Sequence, residues 1–124
     1  MSDDIDTYCK VFLQGVDPSE AGEKISSLLG EETREHLWRI SHAEVEVRRN
    51  PDAGAAADFI GWPTVIEVET EPDTPGDSVV ALVSGILTTL WESGVPAVAA
   101  CDFEEMLPWR GGIDRFGGPS TSVH

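Results

Sequence analysis

Two runs of this sequence alternate apolar and charged or polar residues: Ala43-Glu44-Val45-Glu46-Val47-Arg48 and Val65-Ile66-Glu67-Val68-Glu69-Thr70-Glu71. A period of two is the repeat of an extended strand, whose successive side chains point to opposite faces of a sheet. Each run therefore predicts a strand with its aliphatic side chains towards a core and its glutamates towards water. The helical period of 3.6 does not fit either run. Much of the acid of the chain is written into this pattern. The formal net charge is −15, from 23 Asp+Glu against 8 Lys+Arg. The sequence thus describes a folded, patterned acidic surface rather than an acidic tail.

The remaining elements follow from the same kind of spacing. Thr7 to Gln14 alternates, with Cys9, Val11 and Leu13 on one side and Tyr8, Lys10, Phe12 and Gln14 on the other. Asp17-Pro18-Ser19-Glu20 is a helix start, with a capping aspartate, proline in the first turn and a capping-box acid. Ala21, Ile25, Leu28 and Leu29 form its buried stripe, and Gly30 suits the position after its end. Glu31 to Ser41 reads equally as a short helical turn or as an extended arm. Asn50 to Gly54 is a turn cluster, and Ala55 to Trp62 a loop or helical turn. Val79, Leu82, Val83, Ile86, Leu87, Leu90 and Trp91 recur at helical spacing after a cap at Asp77 or Ser78, and Gly94 and Pro96 end that helix. Ala97 to Cys101 is a fourth, small-residue strand.

The order β-α-β-β-α-β predicts an α+β, ferredoxin-like sandwich: a four-stranded antiparallel sheet with two helices on one face. Strands one and three would be central, with strand four beside strand one. At 124 residues the chain reads as a single domain, 1–124, with a loose N-terminus at 1–6 and a Gly-rich C-terminal arm at 109–124. Trp109, Arg110, Ile113 and Phe116 suit that arm to packing back on the domain or on a partner.

The charge balance argues against nucleic acid and against anionic membrane, both of which need Lys and Arg. No apolar stretch reaches the length of a membrane span, and no leader pattern opens the chain; the expected location is the cytoplasm. A basic protein is the natural electrostatic complement, although acidity also serves solubility alone. Cys9 and Cys101 belong to no CxxC pair and read as two small buried hydrophobes. A bond between them requires neighbouring strands, which this topology permits. No nucleophile elbow, Walker loop or dinucleotide fingerprint follows a strand, so no catalytic residue and no cofactor is predicted. His36 and His42 read as surface histidines.

The glutamates of strands two and three (Glu44, Glu46, Glu67, Glu69 and Glu71) should share the sheet face opposite the helices. Asp102, Glu104 and Glu105 would stand beside them, and Tyr8, Phe12 and Trp62 would be aromatic anchors. Three uses fit such a face: docking of a basic partner, a solvated surface that discourages aggregation, and a homodimer interface. A fourth alternative is a small-molecule or divalent-metal pocket near the end of strand four, lined by Trp62, Phe103, Trp109 and the carboxylates, although no metal-loop spacing is present.

Phe59-Ile60-Gly61-Trp62-Pro63-Thr64-Val65-Ile66-Glu67-Val68-Glu69 and Ala97-Val98-Ala99-Ala100-Cys101-Asp102-Phe103-Glu104-Glu105-Met106-Leu107-Pro108 together resemble segments of small bacterial proteins. Some of those look like immunity proteins that guard against polymorphic toxins. The resemblance implies inhibition by binding rather than turnover. Gly61 and Thr64 stand where it calls for bulkier aromatics.

Overall fold

The alternating runs pair with one another, and a fifth strand joins them. A computed structural model describes residues 8–40, 43–55, 58–101 and 103–116, with residues 115 and 116 described by backbone alone. Residues 1–6, His42, Asp102 and the arm beyond 116 lie outside the described residues. The strands are β1 (Tyr8–Leu13), β2 (Leu37–Ile40), β3 (Ala43–Arg49), β4 (Thr64–Thr70) and β5 (Ala97–Ala100); the long helices are α1 (Pro18–Leu29) and α2 (Gly76–Glu92). Neighbouring strands run antiparallel in the order β2-β3-β4-β1-β5. The predicted count of four strands is thus corrected to five. Residues 37–40, left open between helical turn and extended arm, form an edge strand hairpinned to β3.

Local chemistry explains the helix ends. Asp17 Oδ1 accepts from the Glu20 N–H at 2.8 Å and Glu20 Oε1 from the Asp17 N–H at 3.0 Å, closing the capping box that the sequence predicts. Gly30 takes φ 90° and its N–H bonds the Ser26 carbonyl, a left-handed stop that glycine adopts at little cost. The start of α2 corrects the prediction of a cap at Asp77 or Ser78: the helix begins at Gly76 behind Pro75, with no side-chain cap. Asp77 lies in the first turn, where an acid favours the helix dipole.

One core lies between helices and sheet. Val11 and Leu13 of β1, Val45 and Val47 of β3, and Ile66 and Val68 of β4 meet Ile25 of α1 and Val83, Ile86, Leu87 and Leu90 of α2. Full burial of each such side chain contributes about 1.5–3 kcal/mol. Trp38 of β2 is fully buried, and its indole N–H donates to the Gly30 carbonyl at 3.0 Å. Gly22 of α1 makes room for the ring: a Cβ there would stand 3.2 Å from its edge.

A second, smaller core covers part of the other face, which the sequence leaves open. Phe12, Phe59, Val65 and Val98 are buried together, with Trp62, Ala100 and Ile113 packed against them. Phe59 sits edge-on to Phe12 at 5.5 Å between centroids and to Trp62 at 6.4 Å. The covering loop is pinned by Asn50, which is 2% exposed. Its amide donates to the carbonyls of Ile60 (2.8 Å) and Trp62 (2.6 Å), and its oxygen accepts from the Asp52 N–H (3.0 Å). A buried amide with its polar atoms satisfied in this way fixes a loop, whereas an unsatisfied one would cost about 1–3 kcal/mol.

Both sheet edges are engaged by the chain itself. Leu37 of β2 bonds back to residues 33 and 34, and the Arg39 N–H donates to Thr33 Oγ1 at 3.0 Å. At the other edge the chain crosses β5 after its end: Leu107 enters the main core and Ile113, which opens the short helix α3 (Ile113–Phe116), packs on the second one. Trp109, Arg110, Gly111 and Gly112 between them all hold positive φ. Among the described residues, no helix is long and apolar enough to cross a membrane.

Candidate functional site

Register builds the site, because residues directly opposite on neighbouring strands share a face. One row across the sheet reads Leu37, Glu46, Glu67, Lys10, Ala100; the next reads Arg39, Glu44, Glu69, Tyr8; a third reads Arg48, Val65, Phe12, Val98. The first two rows set Glu46 opposite Glu67 and Glu44 opposite Glu69. Like charges facing each other across a sheet cost about 0.2–1 kcal/mol per pair. The carboxylates of separate strands do therefore gather on one face.

They are not alone there. Arg39 pairs with Glu44, and Arg48 Nη2 bonds Glu67 Oε2 at 2.6 Å. Lys10 stands directly opposite Glu67, with its Nζ 5.7 Å from the Phe12 ring centroid. Four carboxylates thus face three cations on this surface. Such exposed pairs are each worth about 0–1 kcal/mol, enough to offset the facing glutamates. Arg39 is the residue that sequence reasoning missed, because its strand was not recognised. Only the register reveals it.

Tyr8 completes the cluster. Its hydroxyl donates to Glu67 Oε2 at 3.1 Å, the oxygen that also accepts from Arg48. Desolvation, then the charge of Glu67 and the hydrogen bond to it, push the phenol from 10.0 up to about 12. The bond to Glu67 and its charge likewise raise the Arg48 guanidinium. Because the phenol of Tyr8 has a higher folded than unfolded pKa, its contribution to stability is present below pH 10.0 and is lost as pH rises towards about 12. The chain has one tyrosine, so ultraviolet titration isolates this group once Tyr8→Phe is subtracted. The midpoint is expected near 12, and Glu67→Gln should lower it only in part, because burial of the phenol, the largest cause of the shift, remains. An unshifted midpoint in the wild type would disprove the cluster.

The predicted anchors divide. Tyr8 is 38% exposed and available. Phe12 is a correction: it is 6% exposed, sealed beneath Phe59. Trp62 packs against the second core and stays partly exposed. Glu71 is exposed just beyond β4 and lines, with Arg39, Glu44 and Glu69, an open hollow of about 260 Å³ at the end of the sheet. Glu104 and Glu105 sit in a helical turn after β5 (Glu104–Met106), where Glu104 accepts the Cys101 N–H at 3.1 Å. Their electrostatic neighbour is Arg110, which is bonded to both Asp114 oxygens and holds that carboxyl below the usual carboxylate range.

The pocket alternative loses its lining. Phe103 is buried in the core beneath the helices, Trp62 packs on the opposite face of the sheet, and Trp109 is exposed. Side chains on opposite faces cannot line one cavity. Among the described residues, no group of three His, Cys, Asp or Glu could hold a metal ion. His36 approaches Ser19 Oγ at 3.5 Å, and its backbone N–H donates to Glu32. In comparisons with known proteins, the chain matches no family model, no curated protein and no solved structure.

Proposed function

We propose that this chain is a non-enzymatic binding protein that docks a basic protein partner on the sheet face bearing Glu44, Glu46, Glu67 and Glu69, and that it acts as a toxin-neutralising immunity protein. Its β3-β4-β1-β5 arrangement with two helices is read as a ferredoxin-like core to which β2 adds an edge strand. The observation that carries the function is the two pairs of facing glutamates in adjacent strands, Glu46 with Glu67 and Glu44 with Glu69. The sheet gathers these carboxylates on the one face that also presents an exposed tyrosine. Tyrosine beside charge is the composition of an interface hot spot. Glu46 and Glu69 are both exposed and bring charge to the face without an ion pair to disrupt among the described residues. A homodimer through this face would bring the same carboxylates of two copies together, a costly arrangement. A cationic surface fits better, and the overall charge of −15 would steer it in.

The test measures association of the purified chain with the product of the adjacent gene and with a panel of basic nucleases, at low and at physiological salt. The on-rate is expected to fall with salt. Glu46→Gln with Glu69→Gln should slow it about tenfold while leaving the fold intact. If every basic partner binds the double variant as fast as the wild type, this surface is not the docking site. If none binds the wild type, the immunity reading fails.

A further inference from the structure

Cys9 and Cys101 belong to the same side of the sheet. Cys9 is buried in the main core, and Cys101, just past the end of β5, is partly exposed and packs against that core. The β1–β5 register runs from Leu13 opposite Ala97 to Lys10 opposite Ala100. Continued by one step, it sets Cys9 opposite Cys101. The class of that pair follows from the other end of the ladder. The Gln14 N–H donates to the Pro96 carbonyl at 3.1 Å, so Gln14 and Pro96 form a hydrogen-bonded pair. Pairs alternate along an antiparallel ladder, which makes Cys9 and Cys101 a non-hydrogen-bonded pair. The Cys101 N–H fits this assignment, being engaged by Glu104 Oε2 at 3.1 Å rather than by β1. In such pairs opposite Cα atoms lie about 4.5 Å apart with their side chains close, inside the range of about 4.4–6.8 Å that a disulfide spans.

We propose that Cys9 and Cys101 form a reversible cross-strand disulfide, a modification site that clamps β5 and the segment 103–116 to the middle of the sheet. The oxidant is a low-molecular-weight disulfide such as oxidised glutathione. Cys101, the more accessible sulfur, loses its proton and attacks one sulfur of that disulfide. A mixed disulfide forms and one small thiolate leaves. Cys9 then loses its proton and attacks the Cys101 sulfur, forming the Cys9–Cys101 bond and expelling the second small thiolate. Two protein thiols are oxidised, one small disulfide is reduced to two thiols, and the two protons pass to the departing thiolates. The second step is intramolecular, so burial of Cys9 does not prevent it. Tyr8 and Lys10, on either side of Cys9, point to the other face, so the clamp forms without displacing the glutamate surface.

The test incubates the folded full-length chain with oxidised glutathione near the ordinary thiol pKa of about 8.5, without denaturant. Thiols titrated after unfolding are expected to fall from two to none, and the mass of the monomer to drop by about 2 Da. Trypsin should then release peptides 1–10 and 50–110 joined together, separable by reductant. The melting temperature should rise by about 5 °C or more, a gain absent in Cys101→Ser. Persistence of both thiols, a stable mixed disulfide on Cys101 with Cys9 unreacted, or bonds between two copies would each overturn the proposal. None of these outcomes depends on the docking surface.

Discussion

Replacing Trp38 with alanine is expected to destabilise the domain by about 3–5 kcal/mol, the range for removing a large buried aromatic. The ring is fully buried between β2 and α1, and its N–H is bonded to the Gly30 carbonyl at the end of α1. Truncation opens a cavity and also strips a partner from that carbonyl, a second loss of about 1 kcal/mol. Domains of this size are stable by only about 5–15 kcal/mol, so the variant should be partly unfolded near body temperature. Urea denaturation gives the number. Trp38→Phe, which keeps most of the ring but not the N–H, should cost clearly less. Equal losses for the two variants would mean that the hydrogen bond, rather than the cavity, dominates. A loss under 1 kcal/mol for alanine would contradict the burial of the ring.

Gly112→Ala is the second large effect. A Cβ at this position would lie 2.3 Å from the Ala97 carbonyl oxygen, with the Trp91 ring also close at 3.1 Å. The obstacle is backbone of β5, so no rotamer change relieves it. The residue also holds φ +100°, a conformation costing an L-residue about 1–2 kcal/mol. The combined cost is expected at about 2–4 kcal/mol. Relief comes by lifting segment 108–116 off the edge of β5, which surrenders the packing of Ile113. Limited trypsin digestion reads this directly, because Arg110 lies in the lifted segment. Cleavage there should be many-fold faster in the variant, with β1 to β4 still protected. An unchanged cleavage rate together with unchanged stability would show that the chain does not run flush against β5.

The strands that carry alternation over six or seven residues were legible, since β1, β3 and β4 each show the pattern several times over. The capping box of α1 and the apolar repeat of α2 were legible for the same reason: local chemistry suffices. β2 was not. Four residues offer only two alternations, and Trp38 owes its place to Gly22 and Gly30 on another element. The second core was hidden too. Phe12 and Val65 occupy positions that alternation assigns to the open face, and they are buried because Asn50 folds the loop of Phe59 and Trp62 over them. An asparagine in an Asn-Pro-Asp turn looks the same in sequence whether its amide is solvated or buried. The gathering of the sheet glutamates could be read from spacing. Their compensation by Arg39 could not, because it depends on which strands are neighbours and in what register.

The self-engaged edges of the sheet carry a consequence for how this molecule meets others. Leu37 and Arg39 spend outward backbone groups on residues 33 and 34, and glycines 111 and 112 lie flush against β5. Neither border invites a foreign chain to extend the ladder, so templated fibril growth should be slow even in crowded solution. Any associate must then be recognised through side chains on the faces, where ionic strength can loosen the grip.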